Sequence, residues 1–276
     1  MTATDLYDRI QQAAAVVRGR CSFAPDVGII LGTGLGGLVK EIAAEAIIPY
    51  EEIPGFPLST VESHAGRLIL GTLRGRRVVA MQGRFHRYEG YSLQEVTFPV
   101  RVMKALGCET LIVTNAAGGL RADWAVGDLM QIADQIFFPG MAGHHPLVGP
   151  NDDRLGLRFP AMVDAFDTEL AALAHTVARE QGTTLHAGCY FMLTGPTFES
   201  AGELRFCRTF ADAVGMSTAP EVVVARHGGM RVLGISLITN IALPDGPPAN
   251  HIEVLEAGEA AKPKFAALLK GILAGM

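Results

Sequence analysis

Two short segments of the sequence carry residue types that bind anions. The first is glycine-rich and reads Gly32-Thr33-Gly34-Leu35-Gly36-Gly37. Glycine lets backbone amides approach an oxyanion closely, and the Thr33 hydroxyl can donate a hydrogen bond to it. The pattern G-x-G-x-x-G followed by Glu51 and Glu52 is also typical of dinucleotide-binding folds. Taken alone, the segment fits a dinucleotide, a lone phosphate or a tight strand-to-helix turn equally well.

The second segment follows a predicted strand and places Arg84, His86 and Tyr88 at alternate positions. If the backbone stays extended, these three side chains project to one face. Arg84 then offers a planar guanidinium fork and His86 a ring N–H to phosphate oxygens, while Tyr88 offers a hydroxyl and an apolar ring to a sugar. A solvated face of a surface strand is the alternative. The position at the C-terminal end of a strand, where open α/β sheets bind ligands, favours a site.

The elements that must position these residues alternate along the chain. Apolar runs predict strands at 27–31, 67–73, 77–82, 111–114, 129–133, 190–193 and 232–239. The second and third of these form a hairpin around Gly75, so the sheet is mixed. Helical spacing predicts an N-terminal helix that ends at Gly19 and a long amphipathic helix over 251–273. The sequence therefore predicts an α/β fold in one domain, residues 1–276.

The composition restricts the class of partner. The net charge of -5 is spread without a block of like charges, which argues against nucleic acid and a membrane surface and favours a small solute. The four cysteines lie far apart and are predicted to be reduced. His144 and His145 lack nearby carboxylate or thiol partners, so no metal site is predicted. The N-terminal segment lacks the pattern of a signal peptide, and the sequence predicts a cytoplasmic protein.

Nine segments, in order, resemble the trimeric, low-molecular-mass purine nucleoside phosphorylases over nearly the whole chain. They are GIILGTGLGGL at Gly28, IPGFPLSTVESHAGRL at Ile53, MQGRFHRYEGY at Met81, TNAAGGL at Thr114, GPND and RFPAM around Asn151 and Phe159, TGPTFES at Thr194, VGMSTAPEVVVARH at Val214 and SLITN at Ser236. The resemblance implies a partly barrel-like mixed sheet flanked by helices. It also implies purine salvage, in which inorganic phosphate splits a 6-oxopurine nucleoside or deoxynucleoside into base and pentose 1-phosphate, without a metal or organic cofactor.

The resemblance further implies which residues bind phosphate and ribose. It places phosphate among hydrogen-bond donors, namely Thr33, Arg84, His86, the Ala116 amide and Ser217. His64 lies on a loop that folds over bound phosphate in the family. Ribose is expected to contact Tyr88, Met216 and His251. The alternative for His251 is a histidine at a helix N-terminus that points to solvent.

The base is expected to contact Phe198, Glu199 and Asn240. The Glu199 carboxylate accepts from the N1–H of a 6-oxopurine, whereas adenine presents an acceptor at N1. Asn240 can donate to N7 or O6 as charge builds on the leaving purine. The expected catalytic residues are His86, Glu199 and Asn240. An exposed carboxylate and a turn residue are the alternatives for Glu199 and Asn240. The resemblance also implies a homotrimer in which Phe159 contributes to a neighbouring site.

Two departures from the family pattern leave part of the function open. Thr33 stands where many relatives have serine, and the loop 241–249 is shorter than the mammalian one and stiffened by proline. The choice among inosine, guanosine and xanthosine is therefore not fixed. Three alternatives remain at this point: a phosphorylase for 6-aminopurine nucleosides such as methylthioadenosine, a dinucleotide-dependent oxidoreductase, and a nucleoside-binding protein without catalysis.

Overall fold

Nine strands form one mixed sheet in the computed structural model, which describes residues 3–32, 36–58 and 65–276. They are β1 (Val27–Leu31), β2 (Ala43–Pro49), β3 (Arg67–Leu73), β4 (Arg76–Gln82), β5 (Thr110–Gly119), β6 (Leu129–Phe137), β7 (Leu185–Met192), β8 (Ala213–Gly215) and β9 (Arg231–Ile241). Their order is β2-β3-β4-β1-β5-β8-β7-β6-β9, and β9 also pairs with β5. This last pairing closes β5, β8, β7, β6 and β9 into a barrel-like ring, from which the other strands extend.

Helices cover both faces of the sheet. They are α1 (Ala3–Arg18), α2 (Leu93–Leu106), α3 (Phe138–Met141), α4 (Thr168–Glu180), α5 (Ala201–Phe210), α6 (Ala219–His227) and α7 (His251–Gly275). Alternate residues of a strand point to opposite faces, so Ile30 of β1 packs in the core with α1, α2 and α6, whereas Ile29 and Leu31 pack with α4 and α7. Every residue of β1 is buried, as expected for a strand covered on both sides. The predicted fold class is confirmed.

The predicted hairpin is also confirmed, with β3 antiparallel to β4. The structure overturns the dinucleotide interpretation of the glycine-rich segment, because that interpretation requires the acidic residues to follow a strand beside β1. Glu51 and Glu52 instead follow β2, and β3 and β4 separate β2 from β1. Within the described part of the chain, no helix is long and apolar enough to cross a membrane. The assignment of residues 1–276 to one domain stays a prediction.

Candidate active site

A cavity of about 320 Å³ opens along one edge of β5. On this edge β5 pairs with β1 only as far as Val113, and it pairs with β8 at Gly118 and Gly119. Between the two pairings, residues 114–117 have no strand beside them on that edge within the described ranges. Main-chain groups of this stretch can therefore bind side chains or a ligand, and Asn115, Ala116 and Ala117 line the cavity.

Ten of the predicted site residues line this one cavity. They are Arg84, His86, Tyr88, Ala116, Phe198, Glu199, Met216, Ser217, Asn240 and His251. Thr33 and His64 lie outside the described residues. Phe159 is not part of the cavity lining, and the residue is 86% exposed. The structure thus brings together residues that the sequence separates by more than half of the chain.

Arg84 is buried at the cavity and is bound by Glu221 and Thr114. Its Nε and Nη2 donate to Oε1 of Glu221 at 3.0 and 2.7 Å, and its Nη1 donates to the main-chain oxygen of Thr114 at 2.5 Å. The sequence predicts that the planar fork faces phosphate oxygens, but the Nε–Nη2 edge faces Glu221. The reason is that a buried carboxylate needs a charged, hydrogen-bonded partner.

His86 is buried and bound to Glu89. Its Nδ1 lies 3.0 Å from Oε1 of Glu89, and the same oxygen accepts from the main-chain N–H of His86 at 2.8 Å. Burial lowers the pKa of His86, and the hydrogen bond to Glu89 partly offsets this effect. A neutral ring that donates through Nδ1 is an acceptor at Nε2. His86 therefore suits a protonated phosphate oxygen, whereas the sequence suggested an N–H donor.

Tyr88 reaches the cavity by a different route from the one predicted. The backbone is extended at His86, but a 3-10 helix (Arg87–Glu89) follows, so the predicted extended run ends there. The ring of Tyr88 stacks on His86 with the ring centroids 4.6 Å apart and the planes 12° apart. Burial raises the pKa of Tyr88 to about 12, so the hydroxyl keeps its proton and can donate to a sugar oxygen.

The turn before α6 presents Ser217 to the cavity. Thr218, the residue that precedes the helix, has a φ of 78°, which is strained for a residue with a β-branched side chain. Asn115 Nδ2 donates to Thr218 Oγ1 at 2.8 Å, and Ser217 Oγ lies 3.2 Å from the same atom. These bonds hold the strained turn in place. Ser217 therefore meets the cavity at a helix N-terminus, where N–H groups favour an anion.

A β-bulge positions Asn240. The register between β5 and β9 passes from Ala117 opposite Ile238 to Gly118 opposite Asn240, which leaves Thr239 as the extra residue. The Thr239 hydroxyl lies 3.3 Å from both Asn240 Oδ1 and the main-chain oxygen of Ala117. The single hydroxyl proton is shared between these two oxygens, and the amide of Asn240 turns its oxygen toward Thr239 and its Nδ2 donor away from it.

Two helix starts hold the remaining predicted residues. Phe198 and Glu199 precede α5, which Ser200 caps by accepting from the N–H of Glu203. His251 is the first residue of α7, which Asn250 caps by accepting from the N–H of Glu253 at 2.9 Å. Burial raises the pKa of the Glu199 carboxyl. Each cap fixes where its helix begins and hence where the cavity-lining side chain stands.

Three polar residues at the site were not found from the sequence. Asn115 lines the cavity, while Glu89 and Glu221 bind His86 and Arg84 from behind. A signal existed for Glu221, which is a lone acid in the otherwise apolar segment 219–225. Across the described residues, no group of histidine, cysteine, aspartate and glutamate side chains is placed to hold a metal ion.

The fold and the cavity together define a class of enzyme. The barrel-like ring carries one cavity in which Arg84 and the α6 N-terminus suit an anion, and Glu199 and Asn240 suit a polar base. A family model described as the phosphorylase superfamily matches residues 26–274. That match covers nearly the whole chain and includes every described residue that lines the cavity.

Comparison with individual proteins narrows the class. Purine nucleoside phosphorylase 1 of Bacillus subtilis (strain 168) is 53% identical over 271 residues, which are 98% of this chain and 99% of the relative. A crystal structure of schistosoma purine nucleoside phosphorylase in complex with hypoxanthine has a TM-score of 0.93 and 42% identity, covering 98% of this chain and 97% of that chain. The Schistosoma mansoni enzyme in complex with adenosine gives the same values. This chain belongs to the purine nucleoside phosphorylases, a family of pentosyltransferases, which confirms the resemblance seen in the sequence.

Proposed function

We propose that the protein splits 6-oxopurine nucleosides and their deoxy forms with inorganic phosphate and releases free purine and pentose 1-phosphate. The observation that carries this proposal is the composition of one cavity. Arg84 and Ser217 lie at its wall together with Glu199 and Asn240, so anion-binding and base-binding groups share the same space. A pentose held between them has phosphate on one side and the leaving base on the other.

The phosphate subsite consists of Arg84, His86, the Ala116 amide and Ser217, with Thr33 and His64 as further expected members. Arg84 supplies the positive charge, and Ser217 adds a hydroxyl at a helix N-terminus. Phosphate attacks as an anion and needs no activating base, so positioning carries most of the catalysis. For the same reason no metal or organic cofactor enters the proposal.

The base subsite gives the preference for 6-oxopurines. An ionised Glu199 accepts from N1–H of hypoxanthine or guanine, while N1 of adenine would place a lone pair against the carboxylate. Asn240 Nδ2 donates to N7 or O6 of the departing base, and this bond strengthens as negative charge develops. The exposed ring of Phe198 covers the base at the mouth of the cavity.

The ribose subsite lies between these two groups. The ring and hydroxyl of Tyr88 serve one face of the sugar, and the thioether of Met216 offers a soft apolar contact. His251, at the start of α7, reaches the 5′-hydroxyl. These contacts bind the sugar in the ground state and orient its anomeric carbon toward phosphate.

The assembly in this proposal is a homotrimer in the cytoplasm. Phe159 contributes to the site of a neighbouring subunit, which is supported by the exposure of Phe159, Leu157 and Val163, three apolar side chains close together in the chain. The four cysteines are free thiols, which fits a reducing compartment. Analytical ultracentrifugation of the wild type and of Phe159→Ala, with the activity of each, tests the shared site.

Turnover of four nucleosides tests the proposed specificity. An S. mansoni relative has been solved with adenosine, so turnover rather than binding is the quantity to compare. With phosphate present, inosine and guanosine should be cleaved at least about 100-fold more efficiently than adenosine and methylthioadenosine. Prompt cleavage of adenosine with none of inosine would favour the 6-aminopurine enzyme, and binding without any turnover would favour a non-catalytic nucleoside-binding protein.

A further inference from the structure

Glu221 is buried behind the cavity, and among the described residues its hydrogen bonds to the cavity wall run to Arg84. Its side chain is 2% exposed, and it is not one of the residues that line the cavity. Its Oε1 accepts from both Nε and Nη2 of Arg84, whose own side chain is 1% exposed and lines the cavity. The direct hydrogen-bonded link between Glu221 and the cavity is therefore the guanidinium of Arg84.

The guanidinium is held from two directions. Glu221 binds the Nε–Nη2 edge, while the main-chain oxygen of Thr114 binds Nη1. A guanidinium is planar, so bonds to three of its nitrogens fix both the position and the plane of the group. Thr114 belongs to β5 and Glu221 to α6, and both elements are buried in the fold. The orientation of Arg84 is therefore set before any ligand binds.

Stability alone does not explain this buried pair. Two well-packed apolar side chains in place of a buried ion pair are often as stable or more stable. The second carboxylate oxygen of Glu221, Oε2, is buried and has no hydrogen-bond partner within the described chain, which adds a desolvation cost. A carboxylate kept at such a cost fits a role in positioning better than a role in packing.

The same helical turn carries both Glu221 and the loop end that presents Ser217. Glu221 is the third residue of α6, and Thr218, which precedes the helix, is bound by Asn115. Acidic residues in a first turn interact favourably with the helix dipole. The N-terminus of α6 thus places Ser217 directly at the cavity and places Arg84 indirectly, so the two donors keep a fixed relation to each other.

On the basis of the proposed phosphorolysis, we propose that Glu221 is a positioning residue for phosphate. It holds the Arg84 guanidinium at the angle and depth at which phosphate and pentose 1-phosphate bind. The geometry of its carboxylate, rather than its charge alone, is what the site requires. A variant that keeps the charge and shortens the side chain should therefore harm phosphate binding more than a variant that keeps the length and removes the charge.

Glu221→Asp and Glu221→Gln separate these two properties. We expect Glu221→Asp to raise the KM for phosphate by about tenfold and to leave the KM for inosine within about twofold of wild type. Glu221→Gln keeps an acceptor oxygen at the same reach and should stay within about threefold of wild type for both substrates. Glu169→Asp is the control for shortening an acid that binds an arginine in the first turn of a helix, since Glu169 binds Arg231 outside the cavity, at an exposed site.

Circular dichroism and thermal unfolding of each variant complete the experiment. The proposal is overturned if Glu221→Asp leaves the phosphate KM unchanged, or if Glu221→Gln is the more harmful variant, because charge would then be the property required. It is also overturned if Glu221→Asp fails to fold or shifts both Michaelis constants together, because the role would then be structural. Absence of phosphorolysis by the wild type would instead reject the proposed function itself.

Discussion

One carboxylate oxygen, Oε1 of Glu89, binds both the main-chain nitrogen of His86 at 2.8 Å and its ring Nδ1 at 3.0 Å. The double contact fixes the backbone and the ring of His86 at once. It also selects the tautomer, because an ionised carboxylate accepts and the facing Nδ1 must donate. His86 thereby presents Nε2 as a hydrogen-bond acceptor, which suits a protonated oxygen of the phosphate proposed to bind here.

The first prediction concerns the titration of His86. Burial lowers its pKa and Glu89 raises it, so we expect a neutral ring protonated at Nδ1 at pH 7 and a still lower pKa in Glu89→Gln. Nitrogen-detected NMR of the histidine rings measures both properties. Glu95→Gln is the control, since Glu95 also lies three residues after a capping residue but on α2. A His86 ring that is doubly protonated at pH 7 would contradict this account.

The second prediction concerns Arg84→Ala. The substitution leaves the Glu221 carboxylate buried without its guanidinium, so we expect a loss of about 3–5 kcal/mol of unfolding free energy. In protein that remains folded, the KM for phosphate should rise by about tenfold or more, while the KM for inosine changes little. Steady-state kinetics with each substrate varied in turn measures this partition. An unchanged KM for phosphate in Arg84→Ala would show that Arg84 does not bind phosphate.

The third prediction concerns Glu199→Gln. The amide keeps one acceptor but loses the charge, so kcat/KM for guanosine should fall by about 10- to 100-fold with the phosphate KM unchanged. Glu203→Gln, which removes an acid from the first turn of α5, should have little effect. Burial raises the pKa of Glu199, so its carboxylate becomes protonated at a higher pH than an ordinary glutamate. As the pH is lowered, wild-type kcat/KM should therefore begin to fall at a correspondingly higher pH. Equal losses in the Glu199 and Glu203 variants would argue against base recognition.

The fourth prediction concerns stability below neutral pH. His227 is buried, its ring nitrogens lie 3.3 Å from Arg101 Nη1 and Asn151 Oδ1, and burial lowers its pKa to about 4. The His227 ring of the unfolded chain becomes protonated near pH 6.5, whereas the ring of the folded chain stays neutral until about pH 4. The free energy of unfolding therefore has its full value above pH 6.5 and decreases as the pH falls toward 4. Between pH 7 and 5 the loss is about 2 kcal/mol.

Urea unfolding at the two pH values measures this effect. His227→Gln keeps a side-chain amide at the same place but cannot take up a proton in this range, so its stability should depend less on pH. The difference between wild type and variant should therefore narrow as the pH falls. An unchanged pH dependence in His227→Gln would assign the acid sensitivity to other groups.

Much of the fold could be predicted because its central elements are long or strongly apolar. The periodicity of β1, the β3–β4 hairpin and α7 predicted each of them closely. The edge strand β2 was missed, since one of its seven residues is buried and alanine has a low strand propensity. The three-residue strand β8 carries too little pattern to detect.

Part of the candidate site could likewise be predicted from the sequence, and part of it could not. Residue type and position at strand ends indicated Arg84 and His86, and the family resemblance supplied the rest of the predicted lining. Asn115–Thr218 and Arg84–Glu221 were not predicted, because the partners lie 103 and 137 residues apart and meet only when β5, β4 and α6 pack together. Tyr88 lines the cavity, but a 3-10 turn and not the predicted extended strand directs it there.

A time course of the wild-type protein with inosine and inorganic phosphate, followed by phosphorus NMR for phosphate and ribose 1-phosphate and by proton NMR for hypoxanthine and ribose, tests the central claim most directly. We expect ribose 1-phosphate to appear in step with hypoxanthine, in equal amounts, and neither to form when phosphate is left out. Release of free ribose with phosphate unconsumed would contradict phosphorolysis. So would the absence of any reaction with inosine under conditions in which adenosine is cleaved.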